Sequence, residues 1–372
     1  MARERSRAGQ GPAPFGILLI DKPAGPTSHD VVGWVRWALR ERSVGHCGTL
    51  DPAATGLLVV CVGAATKLVE YLTGVDKRYL ARFVLGRSTT TADAEGETLL
   101  SQPVGPDDIE RAANELVGLL DVTELPPPAY SAIKIDGQRA HALARAGEAP
   151  ELPPRPMAVH QLELLGRGDD WLEADLSVAK GTYVRSLAEE LGRRAGLPVH
   201  LGALRRLAAG ALGLHHPHAV TGLVAERLEP RPGGEHQAPR WRVGLGPSWA
   251  SEAPASGPPL DPRAAAEQAL RARLLAPWTC LPFPTAVLGP APEVPEADAS
   301  GPLLDRLVQG QRLRDSPGIR AILGLEPPGA SEHHALVDRA GGRMILLRRD
   351  RGEERLAPIR VLRFDPNETS DH

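Results

Sequence analysis

The sequence predicts an α+β protein: a mixed, largely antiparallel sheet with flanking helices, followed by a small β-rich C-terminal unit. Three observations lead there. Short runs rich in β-branched residues recur along the chain with period-two alternation. The helical patterns between them do not follow the regular strand-helix alternation of a parallel sheet. A stretch from Glu229 to Pro262 in which more than a third of positions are Pro or Gly separates the two parts.

Taken in order, GILLI at 16–20 reads as a short buried strand, and Thr27 or Ser28 can cap a helix that carries Val31, Val32, Val35 and Leu39 on one face. Between them lies DKPAGPTS, a loop fixed by two prolines and a glycine that would hold Lys22 rigidly at a strand end. LLVVCVG reads as a central strand, followed by a helix over 66–72. In KRYLARFVLG, from Lys77, alternation places Tyr79, Ala81, Phe83 and Leu85 on one face and Arg78, Leu80, Arg82 and Val84 on the other. Helices are predicted near 107–119 and 183–195, and strands near 157–165 and 171–179.

At 372 residues the chain holds about two domains. The basic start, MARERSRAGQGPAP, lacks the apolar core of a secretory signal, so 1–14 is expected to be a disordered lead-in and the cytoplasm the default address. A main domain follows over 15–228, then the Pro/Gly-rich 229–262 as linker or insertion, a small domain over 263–365 and a tail over 366–372. In that small domain ALVDRAGGRMILLRR reads as a hairpin turning at 340–342.

Composition narrows the function. No apolar run reaches the ~20 residues of a membrane span. Cys47, Cys61 and Cys280 are too scattered for a disulfide framework or a CxxC pair. A formal net charge of −3 argues against generic attraction to nucleic acid, so any RNA must be gripped by local patches. Arginine has nearly displaced lysine; the five lysines are Lys22, Lys67, Lys77, Lys134 and Lys180, and the four tyrosines are Tyr71, Tyr79, Tyr130 and Tyr183. Their concentration marks the first half as the working half.

The segment GHCGTLDPAATGLL runs from Gly45 to Leu58. Within it Asp51 before Pro52 is a common helix start, and on the dipeptide alone a cap is the favoured reading. A phosphate loop is excluded, because Gly56 is followed by Leu57 and Leu58 instead of Lys-Ser/Thr. Crowding raises the chemical reading: His46, Thr49 and Asp51 stand among Gly45, Gly48 and Gly56, which suits a loop presenting one carboxylate to a bound group.

With these segments together, the sequence resembles the TruB family of tRNA pseudouridine synthases. DKPAGPTSHD looks like the family's first motif, GHCGTLDPAATGLLVVCVGAATK its catalytic motif and DKRYLARFVLG its tyrosine motif. TTTADAEG, PPPAYSAIKIDGQRAHALARAGE, KGTYVRSLAEELG and LGALRRLAAG continue it in the family's order, so the resemblance spans about 15–225. His141 stands where the family often has tyrosine, and 229–262 has no clear counterpart.

The resemblance implies a pseudouridine-synthase-like fold and isomerisation of uridine 55 in the T-loop of tRNA, with the base flipped from its stack and the glycosidic bond cleaved and re-formed as a C–C bond. No metal and no organic cofactor is implied. Asp51 is implied as the essential carboxylate, nucleophile or base, with Arg185 pairing to it and Tyr79 stacking on the flipped uracil. His46 is implied to insert into the distorted RNA loop. Lys22 and Lys180 either contact phosphate or brace the site. Leu204 and Arg205, with Arg206, match a segment lining the family's pocket, although Leu204 also suits a core and the arginines a surface. Residues 126–155, with Lys134, Arg139 and Arg145, would close over RNA, and the tract His215, His216 and His218 reads as an exposed loop. The C-terminal unit resembles the RNA-binding PUA type. No guide RNA and no membrane partner is expected, and the monomer is the expected state. The rival readings are a guide-RNA-dependent enzyme of the dyskerin type, a non-catalytic tRNA-binding protein on this scaffold, and a carboxylate-dependent nucleoside hydrolase.

Overall fold

The protein is described from a computed structural model over residues 13–128, 130, 134–135, 138–139, 152–229, 239–251, 261–288, 300–327, 331–350 and 355–366. Its main element is an eight-stranded sheet. The strands are β1 (Gly16–Lys22), β2 (Val44–His46), β3 (Thr55–Val62), β4 (Lys77–Leu85), β5 (Val159–Arg167), β6 (Trp171–Val178), β7 (Val199–Ala209) and β8 (Leu212–Gly213). They run in the order β1-β3-β7-β4-β6-β5, with β2 beside β3 and β8 beside β7. Every pair is antiparallel except β3 with β7, which touch in parallel through Arg205 opposite Thr55 and Arg206 opposite Gly56. The sheet is therefore mixed and largely antiparallel.

Local sequence accounts for most of it. In β4 the predicted face, Tyr79, Ala81, Phe83 and Leu85, is buried, while Arg78 lies exposed. That face packs against helices α2 (Pro106–Val117) and α3 (Val184–Ala195), enclosing Leu116, Leu172, Leu176, Leu187 and Leu191. β1 and β3 are buried on both faces, which is why their sequences are continuously apolar instead of alternating. Helix α1 (Ser28–Leu39) covers one side of them with Val31, Val32 and Val35. Thr27 is its cap, accepting from the Asp30 amide while the Asp30 carboxylate accepts from the Thr27 amide.

The other side of β1 and β3 faces a five-stranded C-terminal sheet. Its strands, in order, are Thr285–Leu288, His333–Asp338, Arg343–Asp350, Arg355–Arg363 and Leu313–Arg314. The hairpin His333–Asp338 to Arg343–Asp350 turns where the sequence places it, at Gly342 with φ 60°. Ile17, Leu19 and Val59 share one apolar cluster with Trp278, Val337, Met344 and Leu362, and Phe15 stacks on Phe364 with centroids 5.2 Å apart.

Several sequence expectations are altered. The stretch 229–262 is not wholly irregular: Arg240–Leu245 is a strand paired to Leu223–Leu228, and its Val243 packs into the cluster beneath α1. Period-two patterning is hidden there by Gly244 and the flanking prolines. A helix, Pro262–Arg271, starts on the Asp261 cap and joins the same cluster through Ala266 and Leu270, while Leu275 bridges to Ile17. Residues 262–275 thus lie against the first sheet. The helix expected over 66–72 begins earlier, as a 3-10 segment Gly63–Leu68 that passes into Val69–Thr73. β7, within LGALRRLAAG, carries no strand signature in the sequence; register shifts at 201/203 and 206/208 break the alternation that would mark it. Of the 126–155 loop, residues 140–151, and with them His141 and Arg145, lie outside the described residues, as do the side chains of Lys134 and Arg139.

One cross-strand row ties the middle of the sheet together. Lys22 faces Gly56, Gly56 faces Arg206, and Arg206 faces Tyr79, across β1, β3, β7 and β4. Gly56 has φ 98°, and a Cβ there would stand 2.2 Å from the Arg206 carbonyl oxygen. Gly56→Ala is therefore expected to destabilise the fold by more than about 1 kcal/mol. Urea unfolding measures it, and a wild-type midpoint would contradict the close approach.

Candidate active site

Asp51 lies in the irregular link Cys47–Ala54 between β2 and β3, and no helix follows it, so the capping reading of Asp-Pro does not hold. Irregular backbone that approaches the core must find partners for its carbonyls. Two buried cations supply them. Lys22, fully buried, donates from Nζ to the carbonyls of Pro23 (2.9 Å), Pro52 (3.0 Å) and Ala54 (2.8 Å). Arg206, 2% exposed, donates from Nε to Leu57 (2.7 Å), from Nη2 to Gly48 (3.0 Å) and from Nη1 to Thr49 (3.4 Å). Ser28 completes the frame: its hydroxyl accepts from the Leu50 amide at 2.9 Å and donates to the Leu50 carbonyl at 3.0 Å. The Gly25 amide meets the Pro52 carbonyl at 2.8 Å. The loop is held from both sides along its length.

The Asp51 carboxylate points out of this frame, its side chain 40% exposed, and meets Arg185 from α3. Arg185 Nε stands 3.1 Å from Oδ2 and Nη2 3.4 Å from Oδ1. The guanidinium itself is buried and fixed by the Thr91 carbonyl (3.2 Å), the Tyr130 carbonyl (3.0 Å) and Asp93 (3.7 Å). Burial pushes the Asp51 carboxyl above the usual carboxylate range, with Asp93 adding to the rise; Arg185 and then Lys22 oppose it. The site therefore holds an ionisable carboxylate whose charge depends on Arg185.

Tyr79, 8% exposed, sits at the start of β4, opposite Arg206 and in the apolar cluster that includes Leu50 and Ala54. His46 ends β2 half-buried, its ring edge-on to His29 with centroids 5.5 Å apart. Burial, then His29 and Arg206, bring its pKa down to about 4, so the ring is neutral at pH 7, and its Nδ1 has no partner among the described residues.

The remaining candidates separate. Lys22 uses its three protons on carbonyls and braces the loop. Lys180 is exposed; its backbone amide reaches Asp76 Oδ1 at 3.3 Å, and its amine forms no hydrogen bond among the described residues. Leu204 packs against the cluster that holds Tyr79. Arg205 forms a two-pronged pair with Asp21, at 3.0 and 2.8 Å. Arg206, read from sequence as possible surface, is instead one of the largest fully buried side chains.

Two carboxylates beside Asp51 have no marker of their own in the sequence, although both lie in the TTTADAEG segment. Asp93 approaches Arg185, and Glu95 is raised by burial and by Asp93 while accepting from the Ala53 amide. The loop turns at Ala92, a non-glycine residue with φ 59°, which carries Asp93 inward. Only the acidic spacing of ADAE could have pointed to them. Among the described residues no group of three His, Cys, Asp or Glu side chains is placed to hold a metal ion.

Burial lowers the Lys22 pKa to about 8 from 10.5. Between those values the unfolded chain binds more protons, so this group adds stability as pH rises from about 8 to 10.5. The stability difference between wild type and Lys22→Met should change in the wild type's favour across that window in urea titrations; a flat difference would contradict it. Arg206→Ala should cost at least about 2 kcal/mol, because three carbonyls lose their donor.

The family model of the TruB family pseudouridylate synthase N-terminal domain matches residues 36–184. The tRNA pseudouridine synthase B of Corynebacterium aurimucosum is 45% identical over 212 residues, which cover 56% of this chain and 71% of that protein. That of Ruegeria pomeroyi is 44% identical over 230 residues, 62% of this chain and 73% of that protein. A chain of a Cbf5-Nop10-Gar1 complex agrees with a TM-score of 0.40 at 30% identity, covering 54% of this chain and 50% of that one, a likeness too loose to bear on function. On the extent and identity of its relatives, the chain belongs to the TruB family of pseudouridylate synthases and is an isomerase.

Proposed function

We propose that this enzyme converts uridine 55 in the T-loop of tRNA to pseudouridine, acting on tRNA without a guide RNA. The observation that carries the reading is the Asp51 carboxylate, part-exposed on a rigidly braced loop and joined to a buried Arg185. Isomerisation must cleave the N1–C1' bond, turn the uracil in place and join its C5 to the ribose C1', with C5 giving up its proton and N1 taking one up. The site has a group suited to the cleavage and a surface suited to holding the base.

Asp51 supplies the anion for cleavage, as nucleophile or as base. Arg185 keeps it charged when bound RNA excludes water and the burial penalty grows. Tyr79 offers a planar ring at the wall beside Asp51, on which the flipped base stacks. His46, neutral at pH 7 and with an unpartnered Nδ1, fills the space that the base leaves in the RNA loop without demanding a counter-charge. Lys180, whose amine is exposed and without a hydrogen bond among the described residues, suits a phosphate contact. Lys22 positions the loop instead. The five-stranded C-terminal unit would bind RNA alongside, as its PUA resemblance implies, with the enzyme working as a cytoplasmic monomer.

Position-resolved pseudouridine mapping on a bare tRNA transcript tests this. Wild type should modify position 55 alone, with no added RNA, and Asp51→Asn should abolish the product. Because burial raises the Asp51 pKa, the neutral isostere should leave the melting temperature at or above wild type. Modification elsewhere than the T-loop would overturn the substrate, and release of free uracil would indicate hydrolysis. Rates should fall as pH drops through a value above that of an ordinary aspartate, since Asp51 must be ionised. Arg185→Met should move that limb further toward neutral pH and lower kcat by about 10²-fold or more.

A further inference from the structure

At the far end of α1 from the Asp51 loop lies a basic, aromatic cleft that the proposed reaction does not use. It is a shallow depression of about 420 Å³, largely open to solvent and lined by Arg36, Trp37, Arg40, Glu41 and Arg42. Trp37 is 46% exposed, whereas Trp34 one turn earlier is buried in the core beneath α1. About half of this large apolar ring faces water, and its one ring contact among the described residues is the Arg263 guanidinium.

Its surroundings are predominantly basic. Arg36, Arg40 and Arg42 line it with one carboxylate, Glu41, and Arg263 stands beside Trp37, in a chain whose formal charge is −3. Arg36 is fixed by the Val44 carbonyl at 2.7 Å, and Glu41 accepts from the Ser43 amide at 2.8 Å, so both line the cleft from set positions. Arg40 and Arg42 are exposed and have no ion pair or hydrogen bond from their side chains among the described residues. Arg263 stands with its guanidinium carbon 5.7 Å from the Trp37 ring, and its buried Nε has no partner among the described residues. Basic residues at a helix C-terminus also offset the macrodipole. That role needs neither an exposed indole nor an open cleft.

We propose that this cleft binds an unpaired nucleotide of the RNA substrate outside the reacting loop, its base stacked on Trp37 and its phosphates on Arg40 and Arg42. An indole offers a stacking surface to any base, and two unpaired guanidiniums beside it suit the flanking phosphates. α1 is 12 residues long, about 18 Å. Its first residue, Ser28, holds Leu50 of the catalytic loop, so one rigid element sets the spacing between the two contacts. The choice of RNA as partner rests on the proposed tRNA reaction; the surface itself is tested by binding alone.

The test compares wild type, Trp37→Ala, Trp37→Phe and Arg40→Ala/Arg42→Ala by the Kd for a full-length tRNA transcript over a range of salt, and by kcat at saturating tRNA. Trp37→Ala should raise Kd about tenfold, with Trp37→Phe restoring most of the affinity and kcat unchanged in both. The double arginine variant should lower the slope of log Kd against log salt by about two. Trp37 is exposed, so equal melting temperatures are expected and exclude misfolding as the cause. Wild-type affinity in Trp37→Ala, a loss that phenylalanine does not rescue, or an unchanged salt slope in the double variant would overturn the proposal. So would loss of attachment to anionic vesicles with tRNA binding intact. Wild-type protein that binds tRNA without isomerising it would count against the assigned reaction and not against this surface.

Discussion

The constraint on which the rest depends is the bracing of an irregular loop by two buried cations. Lys22 and Arg206 direct their protons onto six backbone carbonyls between Pro23 and Leu57, and do so from strands on either side of β3 in one cross-strand row. Hydrogen bonds from charged donors are stronger than neutral ones, and a buried cation without them would be costly. Each partner therefore requires the other. Gly56 lies between them, and its lack of a side chain lets β3 and β7 meet as the one parallel strand pair in the sheet among the described residues. Tyr79 closes the same row, so its ring and the loop that carries Asp51 share one rigid reference.

Within this frame Asp51 is held in tension. Burial favours its neutral form and Arg185 favours the charged form, while Asp93 competes for the same guanidinium. A carboxylate kept charged mainly by one partner is sensitive to whatever removes water from around it. The proposed RNA would do that, and the buried position of Arg185 makes its hold on Asp51 stronger as the dielectric falls. Lys22 contributes charge from behind the loop as well as structure, which ties the ionisation of the site to its geometry.

The second sheet is joined to the first through packing. Phe15 on Phe364, and Ile17 and Leu19 beside Trp278, Met344 and Leu362, form one continuous apolar cluster across the two sheets. The C-terminal unit is thereby fixed against the back of the strand pair β1 and β3 that braces and follows the Asp51 loop. A buried group there, Asp315, is satisfied by Arg320 and Arg349 and anchors the small sheet internally.

By itself the sequence determined the strands with clear patterning and the helices with caps, and its resemblance to the TruB family marked Asp51, Tyr79, Arg185 and His46 as candidates. Local periodicity and turn chemistry are short-range signals that fix elements; taken singly, Asp51 reads as a cap, Tyr79 as a core aromatic and Arg185 as surface. Only the tertiary structure decided what surrounds them. β7 was hidden by its bulges, the strand Arg240–Leu245 by the Pro and Gly around it, and Asp93 and Glu95 by lying about 40 residues from the carboxylate they influence. The role of Arg206 was illegible, since a lone basic residue reads as solvated surface until long-range strand pairing buries it and turns it toward carbonyl oxygens; for Lys22 the sequence left phosphate contact and bracing open, and the fold decided for bracing through carbonyls. Burial and cross-strand register are properties of the assembled sheet, and no local stretch of sequence encodes them.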